Sequence, residues 1–183
     1  MRSSQNYKRF YAWAFLLCFA PFLLAAKKPV EKKAPVDAHQ EVYFSPSGHT
    51  QERILFEILN SKTSIDLALY TFTSRSFESA LKKAHKRGVQ IRLVADAENA
   101  NDKSSVVRFL AKEGLAVKLI RGEGRRGIMH HKFAIFDRQL LLTGSYNWSY
   151  SAENYNYENS LFLRDRDLIS AYEKAFNSLW AST

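Results

Sequence analysis

Between Ser64 and Ala95 the chain runs strand, helix, strand with few residues to spare, and this unit constrains the fold more than any other feature. Ser64 to Tyr70 (SIDLALY) reads as a strand, and Ser76 to Arg87 as a helix closed by Gly88. Val89 to Ala95 (VQIRLVA) is almost continuously apolar, which suits a strand covered on both faces. The alternation continues on either side. Val42 to Phe44 is a short strand, followed by Ile54, Leu55, Ile58 and Leu59 at helical spacing. Ser104 to Glu113 is helical and Leu115 to Ile120 returns as a strand. Lys132 to Phe136, Gln139 to Thr143 and Ser160 to Leu163 are three further strands. Asp165 to Trp180 closes the chain as a helix with Leu168, Ala171, Tyr172, Ala175, Phe176 and Leu179 on its inner face. The order predicts an α/β fold, a mixed β-sheet flanked by helices on both faces.

The residues available to fill such a core are ample: 46% of the chain is hydrophobic and 14% aromatic, which argues against disorder over most of its length. Cys18 is the only cysteine, so neither an intrachain disulfide nor a Cys-rich zinc site can brace the domain. The first 40 residues have a different character. Arg2, Lys8 and Arg9 precede an uncharged stretch from Phe10 to Ala26, the basic and apolar regions of a secretory signal. Its 17 residues also just suffice for an uncleaved membrane anchor. Residues 27–40 (KKPVEKKAPVDAHQ) read as a flexible linker. The expected organisation is therefore a signal peptide or anchor over 1–26, a linker over 27–40 and one catalytic domain over 41–183, placed outside the cytoplasm in the periplasm or beyond.

Lys and Arg outnumber Asp and Glu by 27 to 18, and losing the first 26 residues lowers the net charge only from +9 to +6. A basic surface suits a polyanion such as nucleic acid or an anionic lipid headgroup, and equally suits a basic protein with solvated lysines. Charge does not decide between these.

The chemistry lies between His130 and Glu158. In an extended strand alternate side chains share a face, so His130 and Lys132 point one way while His131, Phe133, Ile135 and Asp137 point the other. An imidazole near its own pKa can attack phosphorus, and a neighbouring cation can hold the charge that builds on the nonbridging oxygens. Gly144-Ser145-Tyr146-Asn147-Trp148 then supplies a hydroxyl and an amide, both neutral phosphate ligands. Asn156-Tyr157-Glu158-Asn159 offers a carboxylate suited to the far nitrogen of an imidazole.

Here the sequence resembles the phospholipase D superfamily. Its His-x-Lys-x4-Asp signature is met by His130, Lys132 and Asp137, and the following Gly-Ser-x-Asn by Gly144, Ser145 and Asn147. The similarity runs from about Tyr43 to Trp180, through Tyr43-Phe44-Ser45-Pro46, Tyr70-Thr71-Phe72-Thr73 and Arg87-Gly88-Val89, and is greatest to the small bacterial Nuc-type endonucleases. The resemblance implies that His130 is a nucleophile forming a phosphohistidine, that Lys132, Ser145 and Asn147 hold phosphate, and that Glu158 orients the histidine. Asp137 is structural in the family, in agreement with its strand parity. The resemblance also implies catalysis without metal or cofactor, on DNA more than RNA. Two histidines are required and only one motif is present, so small members pair as homodimers with both motifs at the two-fold axis, the second His130 acting as general acid.

Parity turns His131 away from Lys132, and His39, His49 and His85 stand apart from any metal-ligand spacing. The loop Arg121 to Gly127 just precedes the motif, and its Arg125 and Arg126 are candidates to guide a phosphate backbone; the alternative is a solvated loop. Among Tyr146, Trp148, Tyr150, Tyr155 and Tyr157, core packing accounts for most, Trp148 above all, and any exposed rings suit stacking of unpaired bases. Two rival functions remain: a lipid phosphodiesterase using the same chemistry, and a catalytically silent, membrane-tethered DNA-binding module.

Overall fold

The computed structural model describes residues 40–182, so the signal or anchor and nearly all of the linker lie outside the described residues. The chain runs β1 (Glu41–Ser45), α1 (Thr50–Asn60), β2 (Ser64–Leu69), α2 (Arg75–Lys86), β3 (Gln90–Asp96), a 3-10 turn (Asn99–Asn101), α3 (Val107–Lys112), β4 (Ala116–Ile120), β5 (Lys132–Phe136), β6 (Leu140–Gly144), α4 (Tyr150–Asn154), β7 (Glu158–Leu163) and α5 (Arg166–Ala181). The seven strands form one mixed sheet in the order β1-β7-β6-β5-β2-β3-β4. β2, β3 and β4 are parallel, whereas β5 runs antiparallel to β2 and the remaining neighbours are antiparallel to one another.

The two-residue period of the strands divides the core. On β2, Ile65, Leu67 and Leu69 join Ile54 and Ile58 of α1 and Phe77, Leu81 and Ala84 of α2 in one cluster. Ala68 faces the other way, with Phe133, Ile135 and Leu141, beneath Ile169 and Phe176 of α5. Helices thus cover both faces, as the alternation of elements requires. Within the second layer Asp66 is bound by Arg92 through two 2.7 Å hydrogen bonds. The same guanidinium lies over the rings of Phe176 and Trp180, which cover one side of the pair.

Several boundaries differ from those read from the sequence. The third helix starts at Val107 rather than Ser104, because Asp102 accepts the backbone N–H of Ser104 at 2.7 Å and so closes a turn where a helix would otherwise begin. The inner face of α5 consists of Ile169, Tyr172, Phe176, Leu179 and Trp180, while Leu168 is 42% exposed and Ala171 and Ala175 are exposed. Asp165 caps the helix by accepting the N–H groups of Asp167 and Leu168, and packing in the layer with Phe133, Ile135 and Leu141 puts Ile169 inward in place of Leu168. The five-residue α4 was not expected, being too short to show a period; Ser149 caps it.

Candidate active site

All five motif residues come to one edge of the sheet, because β5 and β7 begin there while β2, β3 and β6 end there. Lys132 is the first residue of β5 and Glu158 the first of β7, and Ser145 follows the last residue of β6. Gly144 is needed at that point: a Cβ there would meet the carbonyl oxygen of Asn159 at 2.1 Å. The ladder continues past it as Ser145 N–H donates to the same oxygen at 3.1 Å.

His130 lies two residues before β5, so strand parity does not by itself fix its direction. Three contacts do so. Lys132 Nζ donates to the His130 carbonyl at 2.8 Å, and Tyr70 N–H donates to the carbonyl of His131 at 2.8 Å. The Tyr70 ring meets the His130 ring edge-on with centroids 4.4 Å apart. On the other side of the backbone, His131 packs edge-on against Phe133 in the layer under α5. Desolvation, then the charges of Lys132 and His130, hold the His131 imidazole below its ordinary pKa.

Asp96 anchors the same segment from β3. It is 1% exposed, and its carboxylate accepts the N–H of Met129, the residue before His130, at 3.1 Å, together with the N–H groups of Glu98 and Asn99. Burial pushes its pKa up, but the hydrogen bonds from Asn99, Met129 and Glu98 outweigh this and keep it below the usual range.

Opposite this segment, Ser145 Oγ donates to Glu158 Oε2 at 2.5 Å and Asn156 Nδ2 donates to Glu158 Oε1 at 3.0 Å. Glu158 therefore holds the serine and an asparagine in its own chain, and among the described residues it makes no hydrogen bond to His130. Desolvation holds the Lys132 ammonium below its ordinary pKa, against the charge of Glu158, which raises it. Asn147 Oδ1 is buried without a hydrogen-bond partner among the described residues. The loop bearing Asn147 is pinned by Trp148, whose N–H donates to Thr71 and whose carbonyl accepts the N–H groups of Thr73 and Ser74, with its ring against Phe72 and Phe77. Tyr146, 3% exposed, donates to Glu153 at 2.8 Å.

Asp137 takes no part in this edge. It sits in the β5–β6 hairpin, where it and Arg138 both have positive φ (51° and 56°), as a type I′ turn requires. Its carboxylate accepts the backbone N–H groups of Lys62, Thr63 and Ser64 and the Thr63 hydroxyl at 2.7 to 3.1 Å. Arg125 and Arg126 are exposed on the β4–β5 loop and make no ion pair among the described residues. Tyr146 and Trp148 are core residues as expected, but Tyr150, Tyr155 and Tyr157 are exposed by 65%, 68% and 94%, so core packing accounts for two of the five rings and not for most of them. Sequence reading assigned no role to Tyr70, Asp96 or Glu153. An acid ending the apolar strand VQIRLVAD was the one available signal, for Asp96.

An imidazole, an ammonium, a hydroxyl, an amide and a carboxylate thus come from strand ends on the same side of the sheet, a set chemically suited to a phosphodiester. The sequence profile of the family described as "Cardiolipin synthase, PLD-like domain" matches residues 54–180, and the chain belongs to this phospholipase D superfamily. Among solved structures it is similar to NucT from Helicobacter pylori (TM-score 0.76, 28% identity, 80% of this chain and 98% of that one). It is also similar to Nuc from Salmonella typhimurium, a phospholipase D family member (0.71, 28%, 79% and 95%). By sequence it is similar to proteins named mitochondrial cardiolipin hydrolase: 36% identical to that of Xenopus laevis, over 83% of this chain and 72% of that protein, and 36% identical to the human one, over 70% and 50%. The resemblance read from the motifs was greatest to nucleases, with a lipid phosphodiesterase as the rival; sequence similarity extends at higher identity to the cardiolipin hydrolases, in keeping with that rival.

Proposed function

We propose that this chain is an exported, metal-independent endonuclease that hydrolyses DNA, single strands in preference, through a phosphohistidine at His130. The observation that carries the nuclease reading is that the described domain accounts for 98% of NucT and 95% of Nuc, so it is a Nuc-type domain along its whole length. Exposed Tyr150, Tyr155 and Tyr157, in and just after α4, supply rings for unpaired bases, and Arg125 and Arg126 on the β4–β5 loop supply cations for phosphates.

The chemistry follows from the residues. A nitrogen of His130 attacks phosphorus in line with the leaving oxygen, and the P–O bond breaks as the P–N bond forms. Lys132, Ser145 and Asn147 donate to the nonbridging oxygens, where the charge grows. The leaving oxygen takes a proton from a second imidazole, and water then displaces His130 to release the phosphate monoester. Glu158 is engaged by Ser145 and Asn156 in its own chain, which leaves His130 without a carboxylate there. This supports a homodimer in which two such edges face each other across a two-fold axis, each copy lending the other a general acid and a carboxylate.

The second reading, a phospholipid phosphodiesterase, has a specific observation in its favour: the 36% identity to cardiolipin hydrolases. It uses the same residues on a different diester. One experiment ranks the two. Labelled single-stranded DNA, duplex DNA, RNA and cardiolipin vesicles are offered to the chain in excess EDTA, with His130→Ala alongside. Cleavage of DNA that persists in chelator and vanishes in the variant is expected. Cleavage of cardiolipin alone overturns the nuclease reading, and DNA binding unaccompanied by any cleavage points to a silent binding module.

A further inference from the structure

We propose that Tyr70 is a positioning residue for both reacting groups, its ring setting the orientation of His130 and the environment of Lys132. The inference rests on the reading of His130 as the nucleophile.

Tyr70 directly follows β2, and its backbone N–H extends the β2–β5 ladder by donating to His131. The side chain is therefore fixed at its root by the sheet. From there it makes two contacts with the catalytic pair. Its ring meets the His130 ring at 4.4 Å with the planes 62° apart, and Lys132 Nζ lies 4.8 Å from its centroid, within cation–π range. Lys132 in turn donates to the His130 carbonyl, so the three residues form a closed set of contacts. His130 is exposed, and no described side chain hydrogen-bonds its imidazole. An exposed histidine without such a bond samples several rotamers, of which only one can aim a nitrogen in line with a P–O bond. The Tyr70 ring is the described side chain that narrows this choice. The same ring removes water from one side of Lys132, in keeping with the desolvation that holds that ammonium below its ordinary pKa.

Both contacts need an aromatic ring, and neither uses the phenol oxygen. Turnover of a small chromogenic diester, bis(p-nitrophenyl) phosphate, tests this without depending on the biological substrate. Tyr70→Leu should lower kcat about 10- to 100-fold while KM changes less than about 3-fold, the signature of lost alignment rather than lost binding. Tyr70→Phe should recover most of that turnover. Thermal melting checks each variant, and Tyr70→Met replaces the leucine if that one fails to fold. Wild-type kcat in a folded Leu or Met variant overturns the proposal, as does a Phe variant no better than Leu. Activity that survives His130→Ala instead overturns the nucleophile assignment on which the proposal rests.

Discussion

Ser145 Oγ donates its proton to Glu158 at 2.5 Å and accepts the backbone N–H of Asn159 at 3.1 Å, so in the free protein the hydroxyl is engaged on both sides. To hold a phosphate oxygen the hydroxyl must turn its proton away from the carboxylate. Glu158→Gln keeps the shape of that side chain and removes its charge. We expect kcat to fall by about 10²- to 10³-fold with a melting temperature near wild type, measured on a small diester and by thermal unfolding. A Gln variant at full turnover would remove Glu158 from the mechanism.

Asp137 belongs to the motif by sequence yet works for the fold. Burial raises its pKa, but the N–H groups of Ser64, Thr63 and Lys62 lower it further, so it lies below the ordinary carboxylate range. A depressed folded-state pKa stabilises the fold above the unfolded value of about 4, and that contribution is lost as pH falls through the lower, folded value. Asp137→Ala should cost about 2 to 3 kcal/mol at neutral pH, because three backbone donors lose a charged acceptor. The difference from wild type should shrink below about pH 4. Denaturant unfolding at pH 7 and pH 3 measures both. The folded variant should keep its kcat.

What the sequence disclosed follows from the range of the forces involved. The period-2 strands and the helix closed by Gly88 are local, so the order of elements and the placement of helices on both faces were legible. The motif spacing was legible too, since β5, its hairpin and the Gly144 turn form one continuous segment ending at the sheet edge. What stayed hidden depends on residues distant in sequence. Tyr70 reaches His130 only because β2 pairs with β5, and Asp96 reaches Met129 only through the end of β3. The inner face of α5 was legible at Tyr172, Phe176 and Leu179, whereas Ile169 and Trp180 were hidden behind Leu168, Ala171 and Ala175, because neighbouring apolar residues give nearly the same pattern after a shift of one position.

The buried pair beneath α5 gives a test of how that layer is held. Asp66 is 5% exposed and Arg92 satisfies both of its oxygens, so removing one partner strands the other in an apolar setting. Asp66→Ala should destabilise by about 3 kcal/mol, at the low end for a buried pair because the Arg92 side chain is 31% exposed. The double change Asp66→Leu with Arg92→Met should lie within about 1 kcal/mol of wild type, since no charge is then left unpaired. Urea midpoints of the three proteins decide it, and a double variant as unstable as the single one would show that the charges themselves hold the layer.

Arg125 and Arg126 offer the discriminating experiment for substrate size. They are exposed on the β4–β5 loop, and among the described residues no hydrogen bond ties them to Lys132 or Ser145. If they guide a polyanion, replacing both by Ala removes two cations from the contact with phosphates. KM for single-stranded DNA should then rise several-fold with kcat nearly unchanged. The dependence of log KM on log salt should flatten by about 1 to 2 units, since each phosphate contact contributes roughly 0.7 on a single strand. Turnover of bis(p-nitrophenyl) phosphate, too small to reach the loop, should not change. An equal loss on both substrates would place the loop in the chemistry, and no loss on either would make it a solvated connection between β4 and β5.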